Sequence, residues 1–432
     1  MKVAFYLHNG CYSIKQNYNN LLAGNPGIGG SEYEILLIAY VLTTRDNGID
    51  VLFYAAQEGN FPHELNVTIE PSLNVAIQNI YSNGCSILVF DRKQINWSVN
   101  ELANLPADLQ LIPWCHTFYN TSELQATYRN PNIAKLICVG SEQGDLFRDH
   151  RSFDKTDYIY NCVPVNYKRV EQARLFPNEK REHIVSFVGS LNPIKTFHIL
   201  AEIWPQILKQ VPDAQLYVIG SAGLYTKGAE LGKYGIAEKY YEDSFISYIT
   251  ENGKIMESVH FMGAMGEEKN DILLKTKVGV PNPTGRTETF CIAAVEMQLM
   301  GCSVATMIAP GYFDTIYNGY MVKRNKKALI DAIVKLLLNN PPHTYDETLS
   351  YVEKNFSVNV IAQEWEQFLK GDLTQHIHSK NTIRNRWYRL KWLKETIHLL
   401  KKCCPFLHRI PYTVENLIVQ VEKRMDVAYR IN

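Results

Sequence analysis

The sequence predicts an α/β protein in which two doubly wound domains face each other across a central cleft, with a helical extension at the C-terminal end. The chain has 432 residues, which is too many for one ordinary core and suits two domains plus an extension. Short β-rich runs alternate with longer helical patterns, as is typical of parallel sheets built from βαβ units. In such folds ligands bind beyond the carboxyl ends of the strands.

The predicted strands form two series. The first series comprises residues 3–7, 49–53, 86–90, 109–114 and 136–139, and the second comprises 184–188, 215–219, 259–262, 278–280 and 303–306. A polar, Pro-containing stretch between the series is typical of an interdomain linker. We therefore expect a first domain over 1–166, a linker over 167–182, a second domain over 183–356, a closing helix within 357–370 and the extension over 371–432.

Composition narrows the class of protein. Hydrophobic residues make up 46% and charged residues 20%, the profile of a folded globular chain. The formal net charge is +0, so we expect no nucleic-acid partner. Nine cysteines without a C-x-x-C spacing favour reduced thiols in a cytoplasmic protein. The first residues lack the pattern of a signal peptide, and the longest strongly apolar stretch, 35–42, is far below the roughly 20 residues that span a bilayer.

The most informative stretch is 281–301, a loop rich in Pro, Thr and Gly that follows a predicted strand and opens a helix. Free N–H groups at a helix N-terminus suit phosphate oxygens. Glu288 and Glu296 lie eight residues apart, about 12 Å along a helix, whereas the acid pairs of glycoside hydrolases lie roughly 5 to 9.5 Å apart. The two carboxylates suit hydroxyl groups on separate parts of one extended ligand. Two ordinary surface glutamates are an equal alternative from spacing alone.

The nine residues Glu288-Thr-Phe-Cys-Ile-Ala-Ala-Val-Glu296 resemble the E-x7-E signature of retaining glycosyltransferases, in particular family 4 of the GT-B fold. The resemblance implies two Rossmann-like domains that face a cleft. It also implies that Glu288 contacts the hydroxyls of the donor sugar, that Glu296 holds the ribose, and that the backbone amides of Phe290 and Cys291 face the diphosphate. Cys291 stands where the family usually has glycine.

Two further elements are similar to those of the same family. The run from Phe187 to Lys195, Phe-Val-Gly-Ser-Leu-Asn-Pro-Ile-Lys, resembles a G-R-L-x-x-x-K element and places Lys195 at the diphosphate, where a cation stabilises the leaving group. Ser190 takes the place of the family's arginine, and Arg286 is a candidate to compensate. The pair Gly29-Gly30 resembles a first-domain loop whose amides approach the donor phosphate and sugar.

A histidine follows the matching first-domain strand in this family and touches the sugar near the reacting carbon. His116 occupies that position and is the candidate for positioning, although a lone histidine is more often structural. Weaker landmarks are also present: Ser141 and Asn161 are expected to be architectural, the loop 220–223 to face the nucleotide base, and residues 309–311 with Asp314 to border the acceptor or sugar.

No two aspartates lie two residues apart, so a D-x-D metal site is not expected. The resemblance implies a metal-independent hexosyltransferase-type enzyme that needs no cofactor. It would move a sugar, with retention, from a UDP- or GDP-sugar to a glycan or lipid-linked acceptor in surface polysaccharide or lipopolysaccharide synthesis. Two alternatives stay open: a nucleotide-sugar epimerase of the same fold, and a non-catalytic nucleotide-sugar-binding partner subunit.

The extension is basic. Residues 380–409 carry nine Lys or Arg and one acid, and apolar residues recur at helical spacing at 383, 387, 390, 393, 397, 400 and 404. This pattern predicts a basic amphipathic helix that contacts an anionic membrane surface, peripherally on its cytoplasmic side. The alternative is that the apolar stripe packs on the core or on a second subunit with its basic face in solvent. The family resemblance ends near residue 370.

Overall fold

The structure is a computed structural model that describes residues 1–12, 14–94, 105–221, 230–378, 383–404, 406–407 and 413–431. It confirms the predicted fold class. The first sheet has seven parallel strands in the spatial order β3-β2-β1-β4-β5-β6-β7. Its strands are β1 Lys2–Leu7, β2 Asp50–Ala55, β3 Val67–Ile69, β4 Ile87–Asp91, β5 Gln110–Cys115, β6 Leu136–Cys138 and β7 Thr156–Tyr158, and its helices are α1 Gly30–Thr44, α2 Leu73–Ser82, α3 Thr121–Arg129 and α4 Ser141–Asp145.

The second sheet has six parallel strands in the order β12-β9-β8-β13-β14-β15. The strands of this domain are β8 Ile184–Val188, β9 Gln215–Ile219, β10 Thr250–Glu251, β11 Lys254–Ile255, β12 Val259–Gly263, β13 Val278–Gly279, β14 Ser303–Met307 and β15 Gly319–Val322. Strands β10 and β11 form a separate antiparallel pair. The helices are α5 Tyr167–Leu175, α6 Phe197–Leu208, α7 Lys239–Phe245, α8 Lys269–Leu273, α9 Ile292–Leu299, α10 Tyr312–Thr315, α11 Lys326–Leu338 and α12 Tyr345–Phe356.

Both sheets reverse their strand order at one point, between β1 and β4 in the first domain and between β8 and β13 in the second. Helices cover both faces of a doubly wound sheet, so its central strands read as continuous apolar runs, and residues 3–7 of β1 are accordingly buried. Loops that follow strands at such a reversal form the binding crevice of doubly wound folds. The glycine pair, the Lys195 segment and the 281–291 loop follow β1, β8 and β13, which places all three at the crevice.

The chain crosses between the domains twice. Helix α5 lies within the stretch that we assigned to a linker, and its Arg169 makes two hydrogen bonds, of 2.7 and 2.9 Å, to Glu267 of the second domain. The closing helix α13, Val358–Lys370, returns to the first domain, where the Trp365 ring packs 4.7 Å from that of Trp114. The amide of Val163 donates to the carbonyl oxygen of Phe356 at 2.8 Å, so the two crossing segments of the chain are paired.

The extension differs from the sequence prediction. Its helices are α14 Lys391–Cys403 and α15 Val414–Ile431. The prediction of one continuous helix through residues 383–404 is wrong, because Arg389 and Leu390 have left-handed φ angles of 47° and 54° just before α14 begins. Lys380 and Arg409, the ends of the predicted basic segment, lie outside the described residues.

The basic side of α14 faces the protein. Lys391 is fully buried and pairs with Glu142 and, at 3.4 Å, with Asp145 of the first domain. Lys394 is also fully buried and pairs with Glu415 of α15 at 2.7 Å. Several apolar side chains of the extension are exposed instead, so the alternative of a basic face wholly in solvent does not hold for Lys391, Lys394 and Lys401. Within the described residues, no helix is both long enough and apolar enough to cross a membrane.

Candidate functional site

Two helix N-termini meet at the crevice. Helix α1 begins at Gly30 with Gly29 as its N-cap, and α9 begins at Ile292 with Cys291 as its N-cap. A Cβ atom on Gly30 would lie 3.5 Å from Cδ1 of Ile292, so the two helix starts face each other in van der Waals contact. The first N–H groups of a helix have no partner within it and carry partial positive charge. The crevice therefore has a point where an anionic group is favoured from both domains.

Lys195 and Glu288 meet beside this point. The side chain of Asn192 accepts hydrogen bonds from the amides of Ile194 and Lys195, at 3.0 and 3.2 Å, and so shapes the turn that presents the lysine. Nζ of Lys195 donates to Oε1 of Glu288 at 2.6 Å, and Nδ2 of Asn282 donates to the same oxygen at 2.9 Å. The Glu288 carboxylate is almost fully buried, whereas a third of the Lys195 side chain is exposed.

Glu288 lies in the loop before α9 rather than on the helix, because α9 begins four residues later. The separation along a helix that we took from the spacing therefore does not apply to the two carboxylates. Glu296 lies on α9, where its Oε1 accepts from Nζ of Lys269 at 3.2 Å. Glu296 also lines a cavity of about 310 Å³ whose walls come from both domains. The two glutamates thus occupy separate places in one crevice.

The backbone of Gly220 closely approaches that of Gly189, which lies at the start of the segment that leads to Lys195. Gly220, at the end of β9, has a φ angle of 147°, and a Cβ atom there would lie 1.8 Å from the carbonyl oxygen of Gly189. Only glycine allows this approach. Two of the four residues that we expected to face a nucleotide base, 222 and 223, lie outside the described residues.

His116 follows β5 and is buried next to the ring of Trp114, 4.7 Å away. Burial lowers the pKa of His116 to about 4, even though Oδ2 of Asp91 lies 3.8 Å from its Nδ1. The imidazole is therefore neutral near pH 7. Its backbone oxygen accepts a hydrogen bond from Oγ1 of Thr289 at 2.7 Å, which joins the histidine to the Glu288 loop of the other domain. Both ring nitrogens are buried and make no hydrogen bond of good geometry to a described residue, and the side chain of Asn161 is the nearby polar group that favours the protonated ring.

The predicted donor-binding residues differ in what their side chains do. The Phe290 ring packs 5.3 Å from that of Phe356, so its side chain belongs to the core. Cys291 is buried, and burial raises the pKa of its thiol to about 12, which makes it a poor nucleophile near pH 7. Oγ of Ser190 accepts from Nδ2 of Asn192 at 2.9 Å and so helps to hold the turn before Lys195.

Gly29, Gly30 and Arg286 differ in their contacts at the crevice. The amide of Gly29 donates to Oη of Tyr12 at 2.6 Å, so that N–H group is already engaged. Gly30 faces the start of α9, where a Cβ atom would lie in contact with Ile292 of the second domain. Arg286 is exposed on the 281–291 loop.

Asp314 joins the domains. Its carboxylate accepts from the amide and hydroxyl of Ser141, at 2.9 and 2.7 Å, and from Oη of Tyr160 at 2.9 Å. Arg384 of the extension lies 3.4 Å from the same carboxylate. Ser141 is architectural, as its position at a strand end predicts. Asp314 thus makes an interdomain contact, and the expectation that it borders the acceptor or sugar stays a prediction.

Sequence reasoning missed several residues of the site. They are Asp91 beside His116, Lys269 beside Glu296, Asn282 on Glu288 and Thr289 on the His116 backbone. The only sequence signal for Asn282 and Thr289 is that they belong to the 281–291 loop. In the part of the chain that the structure describes, no three His, Cys, Asp or Glu side chains are grouped so that they could hold a metal ion.

Comparison with known proteins gives a family match for the second domain. Residues 182–339, which include Lys195, Glu288 and Glu296, match the family model described as Glycosyl transferases group 1. No curated protein matches the chain significantly.

Several solved structures share the fold. HepE (Alr3699) of Anabaena, solved with UDP and glucose, is 17% identical, with a TM-score of 0.60 over 85% of this chain and 99% of that one. A glycosyltransferase of Rickettsia africae is 12% identical, with a TM-score of 0.59 over 88% and 99%. A point mutant of TarM from S. aureus, solved with fondaparinux, alpha-GlcNAc-glycerol and UDP, is 16% identical, with a TM-score of 0.54 over 69% and 58%. The chain has the GT-B fold of these proteins, and its second domain matches group 1 of the glycosyl transferases.

Proposed function

We propose that the protein is a glycosyltransferase that moves a sugar from a nucleoside diphosphate sugar to a glycan or lipid-linked acceptor. The observation that carries this proposal is the contact between Lys195 and Glu288 beside the facing starts of α1 and α9. A fixed cation and two helix N-termini stabilise the negative charge that grows on a departing diphosphate. A buried carboxylate next to them accepts hydrogen bonds from the hydroxyls of the attached sugar.

Each residue has a proposed role. Lys195 and the backbone amides of Phe290 and Cys291, just before α9, bind the diphosphate, and Gly30 brings the start of α1 close to it. Glu288 binds the sugar hydroxyls. Glu296 binds the ribose, and its contact with Lys269 is then either kept alongside the ribose or broken. The neutral His116 ring positions the sugar near the reacting carbon, a role that rests on the family resemblance and on its backbone contact with Thr289 of the Glu288 loop.

We propose that transfer retains the configuration of the sugar. The bond between the anomeric carbon and the diphosphate oxygen breaks, and the acceptor oxygen bonds to the same face of that carbon. The acceptor proton passes to an oxygen of the departing diphosphate, which balances the step without a side-chain base. The raised pKa of Cys291 argues against a thiolate nucleophile at this point. Retention itself rests on the similarity of residues 288–296 to retaining enzymes.

The donor is a UDP- or GDP-sugar in this proposal, and UDP-glucose is the first to test because HepE binds UDP and glucose. Metal independence is part of the proposal, since Lys195 and the helix starts supply positive charge at the diphosphate. A sugar-bearing surface polysaccharide or lipopolysaccharide precursor is the proposed acceptor class.

The test is release of nucleoside diphosphate from a panel of nucleotide sugars in excess EDTA, with and without a mixture of glycan and lipid-linked acceptors. We expect turnover that depends on an acceptor and falls on the order of 100-fold in Glu288→Gln. Glu257→Gln, which changes an exposed carboxylate of the same domain, is the matched control. Isomerised donor without an acceptor would point to an epimerase, and binding without any turnover would point to a non-catalytic partner subunit. Either result would overturn the proposal.

A further inference from the structure

The C-terminal extension has an inverted amphipathic helix. Residues 391, 394, 398 and 401 of α14 recur at helical spacing and are all buried against the protein, although three of them are lysines and one is histidine. The opposite side of the same helix, by the 100° turn per residue, carries Trp392, Thr396, Leu399, Leu400 and Cys403. The charged side of this helix is therefore inside and the apolar side is outside.

Exposed apolar side chains continue beyond α14. Trp387 is 79% exposed just before the helix, Leu399 and Leu400 are 57% and 51% exposed on it, and Phe406 is 68% exposed after it. On α15, Leu417 and Val421 lie one turn apart and are exposed in the same way. We call this set, Trp387, Leu390, Leu399, Leu400, Phe406, Leu417 and Val421, the outer apolar face. Single exposed apolar residues are ordinary on a protein surface, whereas a contiguous apolar patch marks an interaction surface, and vesicle binding tests whether this set acts as one.

Ion pairs fix the orientation of the outer apolar face. Lys391 pairs with Glu142, Lys394 pairs with Glu415, and Nζ of Lys401 donates to the carbonyl oxygen of Asp149 at 2.7 Å. To turn the apolar side inward, the chain would have to break these contacts and leave carboxylates buried without a cation, at high cost. The face is therefore held outward by the first domain.

The exposed charges of the extension itself have one sign, although Lys402 lies 3.7 Å from the exposed Asp154 of the first domain. Among residues 383–404, 406–407, 413–422 and 424, every exposed charged residue is a cation, namely Arg384, Arg386, Lys402 and Arg424, whereas the acids there are buried or half-buried. A two-fold dimer through this face would bring like charges together, because such an interface pairs a patch with itself. An anionic lipid surface complements the cations and accepts the apolar side chains, and tryptophan favours the lipid–water boundary.

We infer that the outer apolar face docks on an anionic lipid bilayer by shallow insertion of Trp387, Leu399 and Leu400, with the exposed cations at the lipid headgroups. This differs from docking through the basic side of the helix, whose buried lysines are committed to contacts within the protein, Lys391 and Lys401 to the first domain and Lys394 to α15. The inference does not depend on catalysis, because the extension lies outside the residues that match known glycosyl transferases.

The test is co-sedimentation of the full chain with vesicles of phosphatidylcholine, alone or mixed equally with phosphatidylglycerol. We expect the protein to pellet with the mixed vesicles and Trp387→Ser/Leu399→Ser/Leu400→Ser to bind on the order of tenfold less. Tyr167→Ser/Leu175→Ser/Tyr240→Ser is the matched control, since it removes three equally exposed apolar side chains from elsewhere on the surface. Arg386→Gln/Lys402→Gln should weaken binding only to the anionic vesicles.

Two results would overturn the inference. One is a wild-type protein that stays in the supernatant with the mixed vesicles, or a triple-serine variant that pellets as the wild type does. The other is light scattering without lipid that finds a wild-type dimer and a monomeric triple-serine variant, since the face would then join two copies of the chain. Unchanged thermal melting of the variants shows that they fold.

Discussion

Nζ of Lys195 lies 2.6 Å from Oε1 of Glu288, so the two groups that we assign to opposite ends of a donor's reacting bond are partners of each other in the free protein. Asn282 donates to the same carboxylate oxygen, which leaves the Glu288 carboxylate satisfied although it is buried. With a donor bound, the Lys195 ammonium would contact both the diphosphate and Glu288. The Glu288 carboxylate would likewise contact both a sugar hydroxyl and Lys195. The pair thus links binding of the two halves of the donor.

This contact predicts a coupled effect of mutation. Lys195→Ala leaves Glu288 with one neutral donor, and we expect a loss of about 1–2 kcal/mol in the free energy of unfolding, reduced because Lys195 is partly exposed. In Lys195→Ala/Glu288→Gln the buried charge is gone, so most of that loss should be absent. Urea unfolding of the two single variants and the double variant measures the coupling. Additive losses would show that the two side chains do not interact in solution.

The contacts of Asp314 predict that this side chain helps to hold the two domains together. Asp314→Asn removes the charge that accepts from Ser141 and Tyr160 and pairs with Arg384. We expect a loss of about 1–3 kcal/mol in stability and a larger radius of gyration in X-ray scattering, because an interdomain contact is lost. Asp331→Asn, which changes an exposed carboxylate of the second domain, is the control. An unchanged radius of gyration would mean that other contacts hold the domains closed.

The surroundings of His378 predict that the stability of the folded protein depends on pH. Burial lowers its pKa, but hydrogen bonds to Asp157 and Glu364 outweigh burial and raise the pKa to about 9. The folded state therefore binds the proton more tightly than the unfolded state, whose histidine titrates near pH 6.5. The stabilisation is fully present below about pH 6.5 and is lost as the pH rises through about 9.

The measurement is the melting temperature of the wild type and of His378→Gln between pH 6 and 10. The difference between the two proteins should be largest at the acid end and should shrink toward pH 10. His63→Gln, at a side chain that is 93% exposed, should follow the wild type throughout. A constant difference across this range would contradict the raised pKa of His378.

The buried position of Lys391 predicts that an ion pair holds the extension on the first domain. The side chain is fully buried against Glu142. Burial raises the pKa of Glu142 to about 7, and the cation of Lys391 counteracts part of that rise. Lys391→Met leaves that carboxyl without its cation, and we expect a loss of about 3 kcal/mol together with faster tryptic cleavage after residue 370. Lys402→Met removes only an exposed pair with Asp154 of the first domain, at 3.7 Å, and should change both far less. Equal cleavage in both variants would show that the buried pair does not hold the extension.

The sequence predicted the central strands well because each is a continuous apolar run between two covered faces. The three parallel strands it missed, β3, β7 and β15, have three or four residues each and lie at sheet edges. Their apolar content is too low to stand out from a loop. Edge strands depend on pairing with a neighbour, which the local pattern does not encode.

Candidate residues for the site could be named from the sequence, whereas the contacts between them could not. The motif around Glu288 and Glu296 and the lysine at 195 were visible in sequence, but the pairing of residues 93 positions apart depends on the fold. The extension shows the limit most clearly. Its helical period was evident, whereas the choice of which side faces the protein depends on Glu142, Asp145 and Glu415, two of which lie more than 240 residues earlier. Periodicity defines two faces and does not say which one is buried.

The central claim is that this crevice binds the nucleoside diphosphate of a sugar donor, and the melting temperature with UDP, GDP, ADP and CMP in excess EDTA tests it most directly. A ligand that binds only the folded state at about one hundred times its Kd adds about 3 kcal/mol of stability, which raises the melting temperature by several degrees. We expect such a rise with one nucleoside diphosphate, and its loss in Glu296→Ala but not in Glu179→Gln, an exposed control. No rise with any nucleotide, or a rise that Glu296→Ala leaves intact, would contradict the account.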